Sequence, residues 1–126
     1  IRDLVRSRGL VDLYKIQALT NSSQEKIDNA VAAFKAEGIQ AFGYRFDVTD
    51  EEEVQNAIKR IENEGSPIDI LDNNAGIIKR TPMVDMEVAD FEQVIKVDLV
   101  SPFIVSKAVV KGMINVNLVK LSTFVL

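Results

Sequence analysis

The chain contains neither cysteine nor histidine. Without cysteine there is no disulfide framework, and the reducing cytoplasm is the expected setting. Without histidine the commonest general base and the commonest metal ligand are both gone, so no metal site is expected. No apolar run reaches membrane-spanning length and no signal peptide opens the chain, so no membrane partner is expected. Basic excess is missing as well. Nineteen acidic residues against 15 basic ones give a formal charge of −4, which argues against a nucleic-acid partner. Repeats, linkers and low-complexity segments are absent.

What is present is globular composition at single-domain size: 126 residues, 47% apolar and 27% charged, enough for a real core. The chain begins at Ile1 rather than methionine, which reads as a fragment. Residues 1–21 stay unassigned: their apolar positions fit neither a helix nor a strand, and Arg2, Arg6 and Arg8 are scattered among them. Residues 22–114 carry clear signals. Ser22 and Glu25 form an S-x-x-E capping box. Ile27, Ala30, Val31 and Phe34 then share one helical face, and Gly38 supplies a left-handed C-cap. Phe42, Tyr44, Phe46 and Val48 alternate, which predicts a strand ending near Asp47.

Thr49 and Glu52 repeat the capping box, Val54, Ala57, Ile58 and Ile61 repeat the apolar stripe, and Gly65 closes that helix. A short apolar strand is predicted over Ile68 to Leu71, running into Asn73-Asn74-Ala75-Gly76. Strand, helix and strand with short connections make a parallel βαβ unit. Alternating elements of this kind imply an α/β fold, a partial Rossmann-type, doubly wound parallel sheet. Val88 to Ile114 reads as a long helix so apolar all round that it is buried twice, the second time against a partner subunit.

Ligands of an open α/β sheet bind at the carboxyl ends of its strands. Two such ends are visible, Asp47-Val48 and Asn74-Ala75-Gly76. A strand-end aspartate can accept from an adenine amine, and the small residues Ala75 and Gly76 let backbone approach a ribose. Taken singly, Asp47 reads more readily as part of the next helix cap and Asn-Ala-Gly as a plain turn. Their placement at the ends of strands joined by one helix favours a shared pocket.

These residues carry a family resemblance. Ile68 to Ile77 (I-D-I-L-D-N-N-A-G-I) resembles the D-I-L-V-N-N-A-G-I signature of the short-chain dehydrogenase/reductase family. Phe46 to Asp50 resembles its D-V-T-D segment, and Val97 to Phe103 the segment around the asparagine of its catalytic tetrad. Within the family, residues 41–50 and 104–114 are most similar to gluconate 5-dehydrogenases, which interconvert gluconate and 5-ketogluconate with a nicotinamide cofactor. The resemblance implies that Asp47 and Val48 flank the adenine of NAD or NADP, and that Asn74, Ala75 and Gly76 line the adenosine ribose. Asp98 stands at the tetrad asparagine position. A sugar-acid or polyol substrate and a homo-oligomer packed through residues 88–114 are implied too. A flavodoxin-like domain, the other alternating fold, does not account for the combined D-V-T-D and N-N-A-G runs. Asp72 replaces a buried valine of the signature, so it is expected to be strained, protonated or exposed by local distortion.

The family's chemistry needs a tyrosine with a lysine four residues on, and a T-G-x-x-x-G-x-G phosphate turn set on a helix N-terminus. Here the residues four beyond Tyr14 and Tyr44 are Ala18 and Val48, and no two glycines have the necessary spacing. Gly38 and Gly43 fit only the outer spacing of a P-loop, whose lysine is replaced by Tyr44. The chain is therefore expected to be inactive by itself, either as a dehydrogenase fragment or as a non-catalytic remnant that binds a subunit. Half-buried helices and unpaired strand edges predict a broad melt.

Residues 115–126 share none of the preceding periodicity. Similar chains continue after Met-Ile with a run like Lys-Arg-Glu-Ser-Gly-Lys-Ile-Ile-Asn-Ile-Cys-Ser-Met. Dropping one A from an AAA lysine codon of a suitable coding string yields Asn115 to Leu126 and then a stop. A one-nucleotide frameshift is the expected origin of this tail, and residues 1–21 are a candidate second out-of-frame stretch. Ser122 is then not the catalytic serine. Resequencing the locus tests this, since a different string at the junction ends the idea.

Overall fold

The computed structural model describes residues 16–65, 67–115 and 121–123. Its elements are β1 (Ile16–Asn21), α1 (Gln24–Ala36), β2 (Gln40–Arg45), α2 (Glu51–Glu64), β3 (Leu71–Asn73), α3 (Val88–Ile95), α4 (Ser101–Asn115) and β4 (Leu121–Thr123). A short 3-10 turn at Met83–Asp85 precedes α3, and a π-helical turn at Lys96–Val100 joins α3 to α4.

The two amphipathic helices form where their stripes predict, but each cap lies one residue late. Ser23, not Ser22, caps α1, its side chain accepting from the Lys26 amide at 3.5 Å. Asn21 draws the Ser23 amide to its own Oδ1 at 2.9 Å, and the Ser22 carbonyl accepts from Arg45 at 3.1 Å. Asp50, not Thr49, caps α2 and accepts from the Glu53 amide at 3.0 Å. Thr49 is already committed to Asp47 through both its amide and its hydroxyl. Gly38 ends α1 with φ +77, the left-handed conformation that costs glycine least.

β1 and β2 pair in parallel around α1, from Ile16 opposite Gln40 to Asn21 opposite Arg45. The helix sits close on this pair, because a Cβ at Gly43 would fall 2.1 Å from Ile27 Cγ2. On the other face Tyr44 and Phe46 point into the core, whereas Phe42, expected on that side, is 45% exposed. The third strand starts three residues later than expected, at Leu71 rather than Ile68, and pairs in parallel with β4 from Leu71 opposite Leu121 to Asn73 opposite Thr123. Among the described residues the strands thus form two parallel pairs, β1–β2 and β3–β4, not one ladder.

The core lies between α2, α4 and the strands. Val54 of α2, Leu71 of β3, and Val109 and Met113 of α4 are fully buried, with Ile58 and Ile61 beside them. Only one side of the long helical segment is covered. Val105, Val109 and Met113 face inward, while Phe91, Leu99 and Phe103 are more than half exposed. No helix among the described residues is long and apolar enough to cross a membrane.

Candidate functional site

The carboxyl ends of the strands converge. Thr20 near the end of β1, Val48 of the β2–α2 loop, and Asn74 and Ala75 after β3 line one narrow cleft, floored by Leu71 and Ser101. Beside it a broader groove is bordered by Ser22, Arg45, Asp47 and Glu53. The two runs singled out in the sequence are therefore brought together, with Val48 and Asn74-Ala75 in the cleft and Asp47 on the adjoining groove. Gly76 does not line the cleft; it stands against Asp98, with its Cβ position 3.4 Å from Asp98 Oδ1.

Each predicted residue is fixed by a local contact. Asp47 Oδ1 accepts from the Thr49 hydroxyl at 2.7 Å and the Thr49 amide at 2.9 Å. These bonds hold its carboxyl below the ordinary carboxylate range; the hydroxyl is the larger cause, and Lys96 adds positive charge against a small burial penalty. The Asp47 amide donates to Glu53 Oε2 at 2.8 Å, which ties the strand end to the first turn of α2. Asp98 Oδ1 accepts from the Ile77 amide at 2.8 Å. It does so from the π-helical turn, a rare geometry that frequently marks functional sites. Ser101 closes that turn, its buried hydroxyl donating to the Val97 carbonyl. Asp72 is half-buried at the cleft rim, with its Oδ1 withdrawn from solvent.

Three residues of the site were not singled out by sequence. Asn73 is buried and its Nδ2 donates to Ser106 Oγ at 3.0 Å, pinning β3 to α4. Thr20 is 8% exposed, lines the cleft, and its Oγ1 has no hydrogen-bond partner among the described residues. Arg45 donates through Nε to the loop after β1. Only Asn73 left a signal, as a polar residue at the end of the run that contains Ile68, Ile70 and Leu71.

Tyr44 is the one tyrosine among the described residues, and it is a core residue. Its phenol donates to Glu64 Oε2 at 3.0 Å, with Arg60 stacked 5.6 Å from the ring centroid. Burial, helped by that carboxylate, pushes its pKa up, the opposite of what a proton-accepting phenol needs.

The family model described as short chain dehydrogenase matches residues 8–120. The chain belongs to the short-chain dehydrogenase family. It is 65% identical over 95 residues to the 2-dehydro-3-deoxy-D-gluconate 5-dehydrogenase of Formosa agariphila, a match spanning 75% of this chain and 36% of that protein. The crystal structure of 2-keto-3-deoxy-D-gluconate dehydrogenase from Streptococcus agalactiae is similar with TM-score 0.74 and 50% identity, over 82% of this chain and 39% of the other. A gluconate 5-dehydrogenase from Burkholderia cenocepacia, solved with NADP and tartrate, is similar with TM-score 0.75 and 34% identity, over 82% and 41%. This short-chain dehydrogenase chain thus spans roughly two fifths of the length of the relatives it matches. The membership expected from the D-V-T-D and N-N-A-G runs is borne out, as is the Rossmann-type fold.

Proposed function

We propose that this chain forms the adenosine half of the NAD(P) pocket of a dehydrogenase acting at C5 of a six-carbon sugar acid. The observation that supports this most is the shared cleft, lined by Val48 and Asn74-Ala75 together with the buried Thr20 hydroxyl, which has no hydrogen-bond partner among the described residues. In this reading the adenine lies at the mouth of the cleft, over Val48 and Ala75, where Asp47 on the neighbouring groove can accept from its exocyclic amine. Asn74 and Gly76 border the ribose. Asp98 serves as a positioning residue, holding the Ile77 amide and with it the turn that presents Gly76. The nicotinamide half is not built by the described residues.

A 2-dehydro-3-deoxygluconate substrate is favoured over gluconate, because the relatives bearing the first name are the more similar in sequence. A nicotinamide held by the whole protein would supply the hydride acceptor for the carbinol, and a base would be needed for the hydroxyl proton. This chain offers no tyrosine–lysine pair for that proton, and its turnover by itself is expected to be nil. The setting is cytoplasmic. Two measurements test the reading. Adding 5′-AMP to the labelled chain is expected to shift the Val48, Ala75 and Ile77 amide resonances; shifts elsewhere, or none, sink the pocket. Sugar acid plus NAD or NADP is expected to give no change at the reduced-cofactor absorbance band, and turnover above background refutes the inactivity.

The exposed outer face of α3 and α4, with Phe91, Leu99 and Phe103 more than half exposed, favours a second role as a subunit-binding surface for a full-length homologue or another copy. Sedimentation of the purified chain alone and with a full-length homologue separates these: a monomer under both conditions removes the second role.

A further inference from the structure

Pairing with β1 occupies one edge of β2, and among the described residues no strand covers the other. Backbone groups alternate in direction along a strand, and the Phe46 amide donates to the Asn21 carbonyl on the β1 side at 3.3 Å. The backbone groups of Phe42 and Tyr44 therefore face β1, and those of Ala41, Gly43 and Arg45 face outward. The Asp47 amide, next in that outward series, is taken by Glu53 Oε2 at 2.8 Å, which ends the open edge at Arg45. Exposed edges are commonly guarded by charge, proline or a bulge. Gln40 to Tyr44 has no charge and no proline, and its register with β1 runs unbroken.

A groove adjoins this edge. Tyr44 and Phe46 line it from the strand, and Asn56, Ala57 and Arg60 from α2, around an open volume of about 560 Å³. The opposite flank of α2 is covered by α4, where Lys107 meets Glu51 and Gly112 lies beside Glu62, so the groove belongs to the uncovered side. Phe42 shares the face of Tyr44 and Phe46, yet 45% of it is exposed while they are buried. The same strand thus carries an aromatic ring without cover and borders an unfilled groove with an aromatic wall.

We propose that the edge and the groove receive β2 of a second copy of this chain, antiparallel about a two-fold axis at Gly43. In that register Ala41 of each copy faces Arg45 of the other and Gly43 faces Gly43, so all three outward residues exchange hydrogen bonds. Tyr44 of each copy faces Phe42 of the other, an aromatic cross-strand pair that carries the exposed ring into the groove beside Arg60. An axis at Ala41 or Phe42 instead sets Arg45 against Glu37 or Ile39, outside the strand. Two such edges with two aromatic rings cover on the order of 1,000 Å² in total, the low end for a specific interface. The dimer is accordingly weak and reversible, with a dissociation constant on the order of 100 μM.

The test is sedimentation of the 126-residue chain from about 10 μM to about 1 mM, with amide hydrogen exchange at both ends of that range. The mass is expected to rise toward that of a dimer. Exchange at Ala41, Gly43 and Arg45 is expected to slow by about fivefold at the higher concentration, the fall in free chain that this dissociation constant gives. Phe42, Tyr44 and Phe46, already held by β1, are expected to keep their rates. Ala41→Pro removes an outward amide without touching the β1 ladder, and Phe42→Lys puts a charge at an exposed position. Each is expected to weaken association about tenfold or more, because a symmetric interface loses the contact twice. Phe103→Asp, on the outer face of α4, is expected to leave the alternating protection in place. A chain that stays monomeric, protection without the alternation, or a dimer that survives Phe42→Lys overturns the proposal. So does a dimer that Phe103→Asp alone abolishes, since that one belongs to the helical face.

Discussion

Replacing Asp98 by alanine isolates the contact that joins the small-residue turn to the long helical segment. Asp98 Oδ1 accepts from the Ile77 amide at 2.8 Å, and the side chain is partly rather than fully buried. A hydrogen bond to a charged acceptor contributes about 1.5–3 kcal/mol when buried, and partial exposure reduces that to about 1–2 kcal/mol. The equilibrium for opening the turn should therefore shift by roughly 5- to 30-fold. Amide hydrogen exchange measures this residue by residue: the Ile77 amide should exchange faster by that factor in Asp98→Ala, while amides in the middle of α2 such as Ile58 keep their rates. Asp98→Asn retains an oxygen acceptor and should recover most of the protection. If Ile77 exchanges within about twofold of the unaltered rate in Asp98→Ala, or if every amide accelerates together, the carboxylate is not what holds this turn.

The glycines give opposite predictions. Gly43→Ala places its methyl 2.1 Å from Ile27 Cγ2, a stiff β-branched position, and should cost about 1–3 kcal/mol in a denaturant titration; an unchanged midpoint would falsify the close approach of α1. Gly112→Ala meets only the Glu62 carboxylate at 2.4 Å, the mobile end of a long side chain. The better helix former should therefore leave stability unchanged or raise it by up to about 1 kcal/mol, and a clear loss would show that Glu62 cannot move aside. Thr49→Ala removes the larger of the contacts that lower the Asp47 pKa, so its titration, followed by carbon NMR of the carboxyl, should move up toward the ordinary range. Because the folded-state pKa is depressed, the stability linked to Asp47 is present above the unfolded carboxylate pKa and lost as pH falls through the folded value. In Thr49→Ala that acid-sensitive increment should shrink, and an identical acid limb would contradict it.

Stripes were legible in the sequence where amphipathic burial decides the outcome. Val54, Ile58 and Ile61 lie on the buried side of α2, and Val48 shares the cleft with Asn74-Ala75. Local competition between side chains was not legible. Asp47 takes both polar groups of Thr49, Arg45 takes the Ser22 carbonyl and Asn21 the Ser23 amide, and both helices start one residue late. The strand at Ile16–Asn21 escaped because Gln17 and Thr20, both polar, occupy buried positions on it and break the apolar alternation. The third strand slid from Ile68 to Leu71 because a short apolar run carries no information about where its ladder begins. Arg45 as a groove residue could be found only once the parallel register set it opposite Asn21.

The widened turn at Lys96–Val100 also sets how the following helix is clocked. An extra residue kept in regular winding of 3.6 per turn would advance everything downstream by about 100°, whereas a widened turn absorbs it. Removing one residue from Lys96–Val100 would therefore restore uniform winding and leave Val105, Val109 and Met113 directed at α2, while carrying Asp98 off the Ile77 amide. The widened turn thus lets a carboxylate be aimed at the pocket without disturbing the dry side of α4.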